Sequence, residues 1–315
     1  MRTRTPALVA LLISLPVVSC STNGGDQDDV TISSGADAPA AAGAAMAPAA
    51  PTPAELSLPL DAYSLSRDES SVVGQATEAL VTTCFEGYGF AVRDAAPLPL
   101  FGAQAAADPH SRRYFVADAA VAAAHGYHAP PTPDVRREFY ESHTAAELHV
   151  LGGLDMSGGS ATTYAGQEVP AGGCLGQAAA AIDLHDQEAV VAGEQLVSAI
   201  QAEAWHRALV DRRLVDGFAA WASCMAAAGY PYADPIQANG EARWHGAEVT
   251  PVEIATAQAD VGCKQEVGLV ELWSSVETEM QQDVIAEHRG KLDAYRGVLD
   301  AQVDRAESVL ATAQR

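Results

Sequence analysis

Four of the five cysteines fall into rhyming contexts, and paired cysteines restrict a chain more than any local propensity does. "CFEGYGF" at Cys84 and "CMAAAGY" at Cys224 share a cysteine, four residues, a glycine and an aromatic ring, while "GGC" at Cys174 and "VGC" at Cys263 put glycine before cysteine. The first pair reads as a helix whose last turn carries the thiol and whose Gly89 or Gly229 exits in the left-handed conformation, where a Cβ would clash. Each half of the chain then holds a helix-end cysteine followed by a helix-start cysteine. Four cysteines allow about three connectivities. The contexts favour Cys84 with Cys174 and Cys224 with Cys263, and leave the other two open. No C-x-x-C spacing points to redox thiols instead. A third Gly-aromatic pair, in "AAHGYHAP", has no cysteine, so the cysteine spacing and not the exit alone carries the information.

The fifth cysteine, Cys20, ends an apolar run. Arg2 and Arg4 precede an apolar core from Ala7 to Leu15, and small residues approach the border. That is the layout of a secretory signal, and the run falls short of the ~20 apolar residues of a membrane-spanning helix. Val17, Val18, Ser19 and Cys20 resemble the bacterial lipobox, in which an aliphatic and a small residue precede an obligatory cysteine. The resemblance implies removal of residues 1–19 and a diacylglycerol thioether on Cys20, hence a palmitate-type lipid anchor in the cell membrane on the extracytoplasmic side. Two acyl chains meet the two-signal rule for stable attachment. The competing reading is an ordinary cysteine after an ordinary signal. Export also makes two disulfides the natural use of the four remaining thiols.

Without its signal the chain carries 16 basic and 41 acidic residues, a net charge of −25, which disfavours nucleic acid as a partner and offers no basic patch to a membrane. Lys264 and Lys291 are the only lysines and alanine abounds, which looks like the coding bias of a GC-rich genome. Residues 20–57 are rich in Ala, Pro, Gly, Ser and Asp and show no apolar period. Such a linker cannot bury enough surface to offset its ordering entropy, and its coil reach is roughly 35 Å. The rest divides into a mainly helical part, 58–176, and a long-helix hairpin, 177–315, expected to form one continuous domain.

The fold class is mainly α. Ser66 with Glu69 and Thr250 with Glu253 read as capping boxes, and Pro109, Pro133 and Pro251 stand where first helical residues belong. Apolar spacing predicts helices from Ser66 to about Glu86, over 110–124, over 174–228 as one helix or two, and over 252–312. In the last of these, Leu292, Tyr295, Leu299, Val303, Ala306 and Leu310 recur at the ~3.6-residue period of a straight helix that packs on its own protein, not at a coiled-coil repeat. Glu287 with Lys291 and Asp293 with Arg296 are read as pairs on its solvated face. One short β-hairpin is predicted in "SATTYAGQEV", turning at Ala165-Gly166.

Taken whole, the chain resembles secreted lipoproteins of high-GC Gram-positive bacteria that carry Cys…Gly-aromatic and Gly-Cys elements on helices. The resemblance rests on residues 84–263 and implies location and disulfides, with no activity attached. The residues themselves nominate little chemistry. His110, His125, His128, His143 and His149 cluster in sequence, but no thiol or carboxylate completes a zinc spacing, and scattered surface histidines are the better reading. "LDMSGGS" has Leu154 where the serine-protease nucleophile stretch needs glycine, and it reads as a loop. Carboxylate pairs such as Glu138 with Glu141 are expected by number alone. No catalytic residue, metal ligand or cofactor is assigned.

The favoured function is a non-catalytic interaction or accessory module for a membrane or wall complex, with an envelope protein as partner. Small-ligand binding is the alternative, although the strand-helix alternation of solute-binding proteins is missing; a secreted hydrolase ranks last. The segment Tyr230–Thr250, pinned by the second disulfide as the tip of the hairpin, supplies Tyr230, Tyr232 and Trp244 as candidate partner-binding residues. The rival reading folds these rings back onto the protein's own core.

Overall fold

The first helix, α1 (Arg67–Gly87), begins at its capping box: Glu69 N–H donates to the Ser66 hydroxyl at 3.2 Å, and Ser66 N–H to the Glu69 carboxylate at 2.7 Å. It ends with Gly89 at φ +82° and Phe90 N–H donating to the Phe85 carbonyl. The helix Arg212–Ala227 ends the same way, with Gly229 at φ +91° and Tyr230 N–H donating to the Met225 carbonyl. Both are Schellman-type exits. The repeated Cys…Gly-aromatic string is therefore one helix-ending device used twice.

The computed structural model describes residues 56–91, 110–153, 163–182 and 187–313, all within one compact unit, Ala47–Arg315. After α1 come α2 (Ala119–His125), α3 (Val135–Ser142), α4 (Ala145–Gly152), strands β1 (Thr163–Tyr164) and β2 (Gln167–Glu168), and α5 (Gly173–Ala181). Then follow α6 (Gln187–Val210), α7 (Arg212–Ala227), α8 (Pro235–Asn239), α9 (Pro251–Glu266) and α10 (Leu269–Ala313). The fold is mainly α. Its antiparallel hairpin pairs Thr163 with Glu168 and Tyr164 with Gln167, and turns at Ala165 (φ +50°) and Gly166 (φ +83°), the two left-handed residues that a tight hairpin turn needs.

Cys84 is bonded to Cys174 and Cys224 to Cys263, with Cα separations of 5.6 and 5.7 Å. The first bond ties the end of α1 to the start of α5, inside an apolar cluster with Val81, Phe85, Val150 and Leu151. The second ties α7 to α9 beside the main core of Trp221, Met225, Trp244, Val261, Leu269 and Trp273. In the long hairpin, α6 and α7 form one leg and α9 and α10 the other, and α10 packs on α6, α7 and α1. Leu292, Tyr295, Leu299 and Ala306 are buried, so the straight-helix stripe faces the protein itself. Gly193 lies against the Tyr295 ring, where any Cβ would overlap the aromatic carbons.

Several helix predictions need correction. The span 252–312 is two helices, because Gly268 takes φ +62° and re-aims the chain between α9 and α10. The span 174–228 is three helices, with Asp211 capping α7 by accepting from Arg213 N–H at 2.8 Å. The span 110–124 is α-helical only from Ala119 on, where α2 (Ala119–His125) begins. The carbonyls of Tyr114 and Val116, which a helix would use internally, accept from the Lys264 ammonium at 3.2 and 2.7 Å, and Phe115 between them is forced to φ +64°. Pro133 does not start a helix: Asp134 caps α3, accepting from Arg137 N–H at 3.0 Å. On α10, Arg296 pairs with Glu69 and Asp300, and Glu287 with Arg207, so these charges join α10 to α1 and α6 instead of only decorating its outer face. Pro109, the "LDMSGGS" stretch and Cys20 lie outside the described residues.

Candidate functional site

The tip between α7 and α9 is folded, not a bare loop. Asp234 caps α8, accepting from Gln237 N–H at 2.8 Å, and a single turn, Ala242–Trp244, follows. That turn drives Trp244 inward, to 4 % exposure. Its indole N–H donates to the Ala238 carbonyl at 2.8 Å, and its ring stacks on Tyr127 with centroids 5.7 Å apart. Arg243 lies over the outer face of the same indole at 4.2 Å. Trp244 is thus a core residue, which corrects its assignment as a contact residue. Tyr232 is half-buried: its hydroxyl donates to Glu241 and accepts from Arg243 at 2.7 Å. Burial, and then the Glu241 carboxylate, raise its pKa above the ordinary tyrosine value. Tyr230 is half-buried against the same core.

Beneath the tip lies a chain of buried charged groups that nothing in the sequence reading singled out. On α9, Asp260 and Lys264 are 0 % and 1 % exposed and 3.1 Å apart. Asp260 also accepts from the Trp221 indole N–H at 2.9 Å, and Lys264 donates to the two carbonyls of the 114–116 turn. Burial pushes Asp260 up and Lys264 down from their ordinary values, each opposed by attraction to the other. Burial, followed by the nearby Asp260 charge, also raises the Tyr127 phenol. On α10, the fully buried Glu277 receives the Arg113 guanidinium, the Tyr114 hydroxyl at 3.1 Å and the Gln281 amide at 2.9 Å. Gln281 in turn accepts from Leu60 N–H at 3.1 Å, which fastens the entering chain to α10. These groups bind the 110–117 turn to α9 and α10. A cue was available in the sequence: Lys264 is one of two lysines in a chain whose other basic residues are arginine, and it follows an aspartate by four residues in a helix.

The five clustered histidines disperse. His110 meets both oxygens of Asp61 at 3.0 and 2.9 Å, and His143 faces the Phe139 carbonyl at 2.7 Å. His149 lies tilted against Tyr164, 6.1 Å between centroids, and His125 ends α2. His128 faces Glu253 and Gly246. Among the described residues no group of three or more His, Cys, Asp or Glu side chains is placed to hold a metal ion, and no helix is long and apolar enough to cross a membrane.

No known family, curated protein or solved structure matches the chain. Shallow grooves are present among the described residues. One of about 560 Å³ runs between α6 and α10, walled by Leu196, Tyr295 and Val298 with Lys291 at its edge. Another, about 440 Å³, lies between α1 and the end of α10, lined by Leu80, Thr83, Val309 and Thr312. The hydroxyls of Thr83 and Thr312 donate to carbonyls four residues earlier in their own helices.

Proposed function

We propose that this is a lipid-anchored extracytoplasmic envelope protein, held at the membrane by diacylglycerol on Cys20, that acts as a non-catalytic interaction module for a membrane or wall complex. The observation that carries the reading is the pair of disulfides joining helix ends in both halves of a chain whose apolar start runs into Val17-Val18-Ser19-Cys20. Disulfides of this kind persist in oxidising compartments outside the cytoplasm. With Trp244 turned inward, the contact face we assign at the tip consists of Ile236, exposed on α8, and Val252, exposed in the first turn of α9, beside the half-buried Tyr230 and Tyr232. Exposed aliphatic residues on a braced tip suit docking because little ordering entropy is left to lose.

The anchor is tested by Cys20→Ser. Labelled fatty acid is expected to enter the parent protein and not the variant, which is shed or left unprocessed. Label in the variant would remove the anchor from the proposal.

The contact face is tested in living cells with a photo-reactive residue at Ile236, and at Gln282 on the exposed side of α10 as control. One dominant membrane or wall protein is expected from position 236 and none from 282. Scattered products from both positions would point away from an accessory role. The α6–α10 groove favours a second reading, a small amphiphile with an anionic head beside Lys291. Native mass spectrometry of protein purified from its envelope would display that ligand as a retained mass.

A further inference from the structure

His128 is held from both sides. Its Nδ1 lies 2.7 Å from Glu253 Oε1 and its Nε2 lies 2.9 Å from the Gly246 carbonyl. A carboxylate and a carbonyl only accept, so both contacts are satisfied together only by an imidazolium, which donates from both nitrogens. The neutral ring has one N–H to offer. Glu253 keeps that proton on Nδ1, because its buried carboxylate is the stronger acceptor and is itself fixed by Tyr127 N–H at 2.9 Å. Deprotonation therefore turns the Nε2 lone pair toward the Gly246 oxygen, and the contact that fails is the one to the loop.

We propose that His128 is a pH-operated latch that holds the exposed loop His245–Val249 against the start of α9 while the ring is charged and releases it when the ring is neutral. The geometry around the ring is built for this. Gly126 takes φ +57°, and a Cβ there would sit 2.7 Å from Glu253 Oε1, so only glycine lets the α2 exit bring His128 to the carboxylate. Thr250 caps α9 by accepting from Glu253 N–H, but the Glu253 carboxylate leaves the usual capping-box partner and serves Tyr127 and His128 instead.

Two charged groups face the latch. Glu253 comes from α9, and the Arg112 guanidinium comes from the 110–117 turn, donating to the carbonyls of Tyr127 and His128 at 2.7 and 3.3 Å. His125 on the α2 end, Tyr127, and His245 and Glu248 on the loop are titratable groups close by in the chain, while Asp260, Lys264 and Glu266 lie further along α9 and His110, Arg113 and Tyr114 belong to the 110–117 turn. The Gly246 and Glu253 bonds raise the His128 pKa above 6.5, and desolvation and Arg112 pull the other way. For a group raised on folding, the stabilisation is complete below the unfolded-state value and is lost as pH climbs through the folded-state value. The latch is therefore closed in mildly acidic solution and opens on the alkaline side of 6.5.

Hydrogen exchange of residues 245–249, corrected at each pH for the intrinsic chemical rate, reads the latch directly. In the full protein, protection is expected to fall as pH rises through the His128 titration, because the stabilisation is lost as the ring becomes neutral. In His128→Gln it should be low and flat with pH, and in Glu253→Gln the midpoint should move to lower pH. Flat protection in the parent protein, or a slope that survives in His128→Gln, would overturn the proposal and pass the effect to His125 or His245. Should His128→Gln fail to fold, nitrogen NMR of the parent ring decides: both nitrogens protonated at mildly acidic pH support the latch, and a neutral ring there overturns it.

Discussion

Asp260→Ala is expected to lower the unfolding free energy by about 3–5 kcal/mol, the usual cost of stranding one partner of a buried ion pair. The ammonium of Lys264 is 1 % exposed, and without Asp260 it keeps only the Tyr114 and Val116 carbonyls while the Trp221 indole N–H loses its acceptor. Lys264→Met should be as severe for the opposite reason. It leaves the buried Asp260 carboxylate with only the Trp221 indole N–H and takes the ammonium from two carbonyls of the 114–116 turn, the contacts that flank the left-handed backbone of Phe115. Replacing both, as Asp260→Leu with Lys264→Met, should recover much of the loss, because an apolar pair of like volume removes the desolvation penalty along with the attraction. Urea midpoints of the three variants make the check. An Asp260→Ala variant within about 1 kcal/mol of the parent would mean that the pair is neutral or hydrated, since exposed pairs are worth that little.

Trp244→Ala, alone or with Tyr232→Ala, is the second large effect. The indole fills the space between Tyr127 and Arg243, and its N–H satisfies the Ala238 carbonyl. Loss of a buried tryptophan costs about 3–5 kcal/mol, a fall in melting temperature on the order of 10 °C for a domain of this size. Tyr232→Ala alone should cost far less, because that ring is half exposed and its hydroxyl bonds charged groups that water can serve as well. An unchanged melting temperature in Trp244→Ala would return this ring to the surface and restore it as a contact residue.

Trp244 shows where reading the chain alone reaches its limit. Proline and aromatic residues in "YPYADPIQANGEARWHG" suit a docking loop and a core cap equally well, and only the space beside Tyr127 decides between them. Glu253 shows the same limit from another side. Three residues after Thr250 it completes a capping-box pattern, yet its carboxylate is drawn to Tyr127 and His128, more than a hundred residues earlier in the chain.

What the amino-acid order determined by itself are the features whose partners lie within one helical turn or so. These are the Ser66 box, the caps at Thr250 and at the hairpin turn, the glycine exits after Cys84 and Cys224, and the straight apolar stripe of α10. The cysteine pairing agrees with the contexts that favoured it, but the helix-start reading holds only for Cys174 at the head of α5, whereas Cys263 lies in the last turn of α9. The breaks at Asp211, a cap, and Gly268, a left-handed exit, are local signals of the same kind, whereas tertiary structure alone decided the refusal of 110–118 to become helix and the buried charges at Asp260, Lys264, Glu253 and Glu277. The physical reason is one of competition. A backbone carbonyl or a carboxylate near the core is claimed by whichever donor the packed elements bring to it, and for Lys264 those carbonyls lie about 150 residues away along the chain.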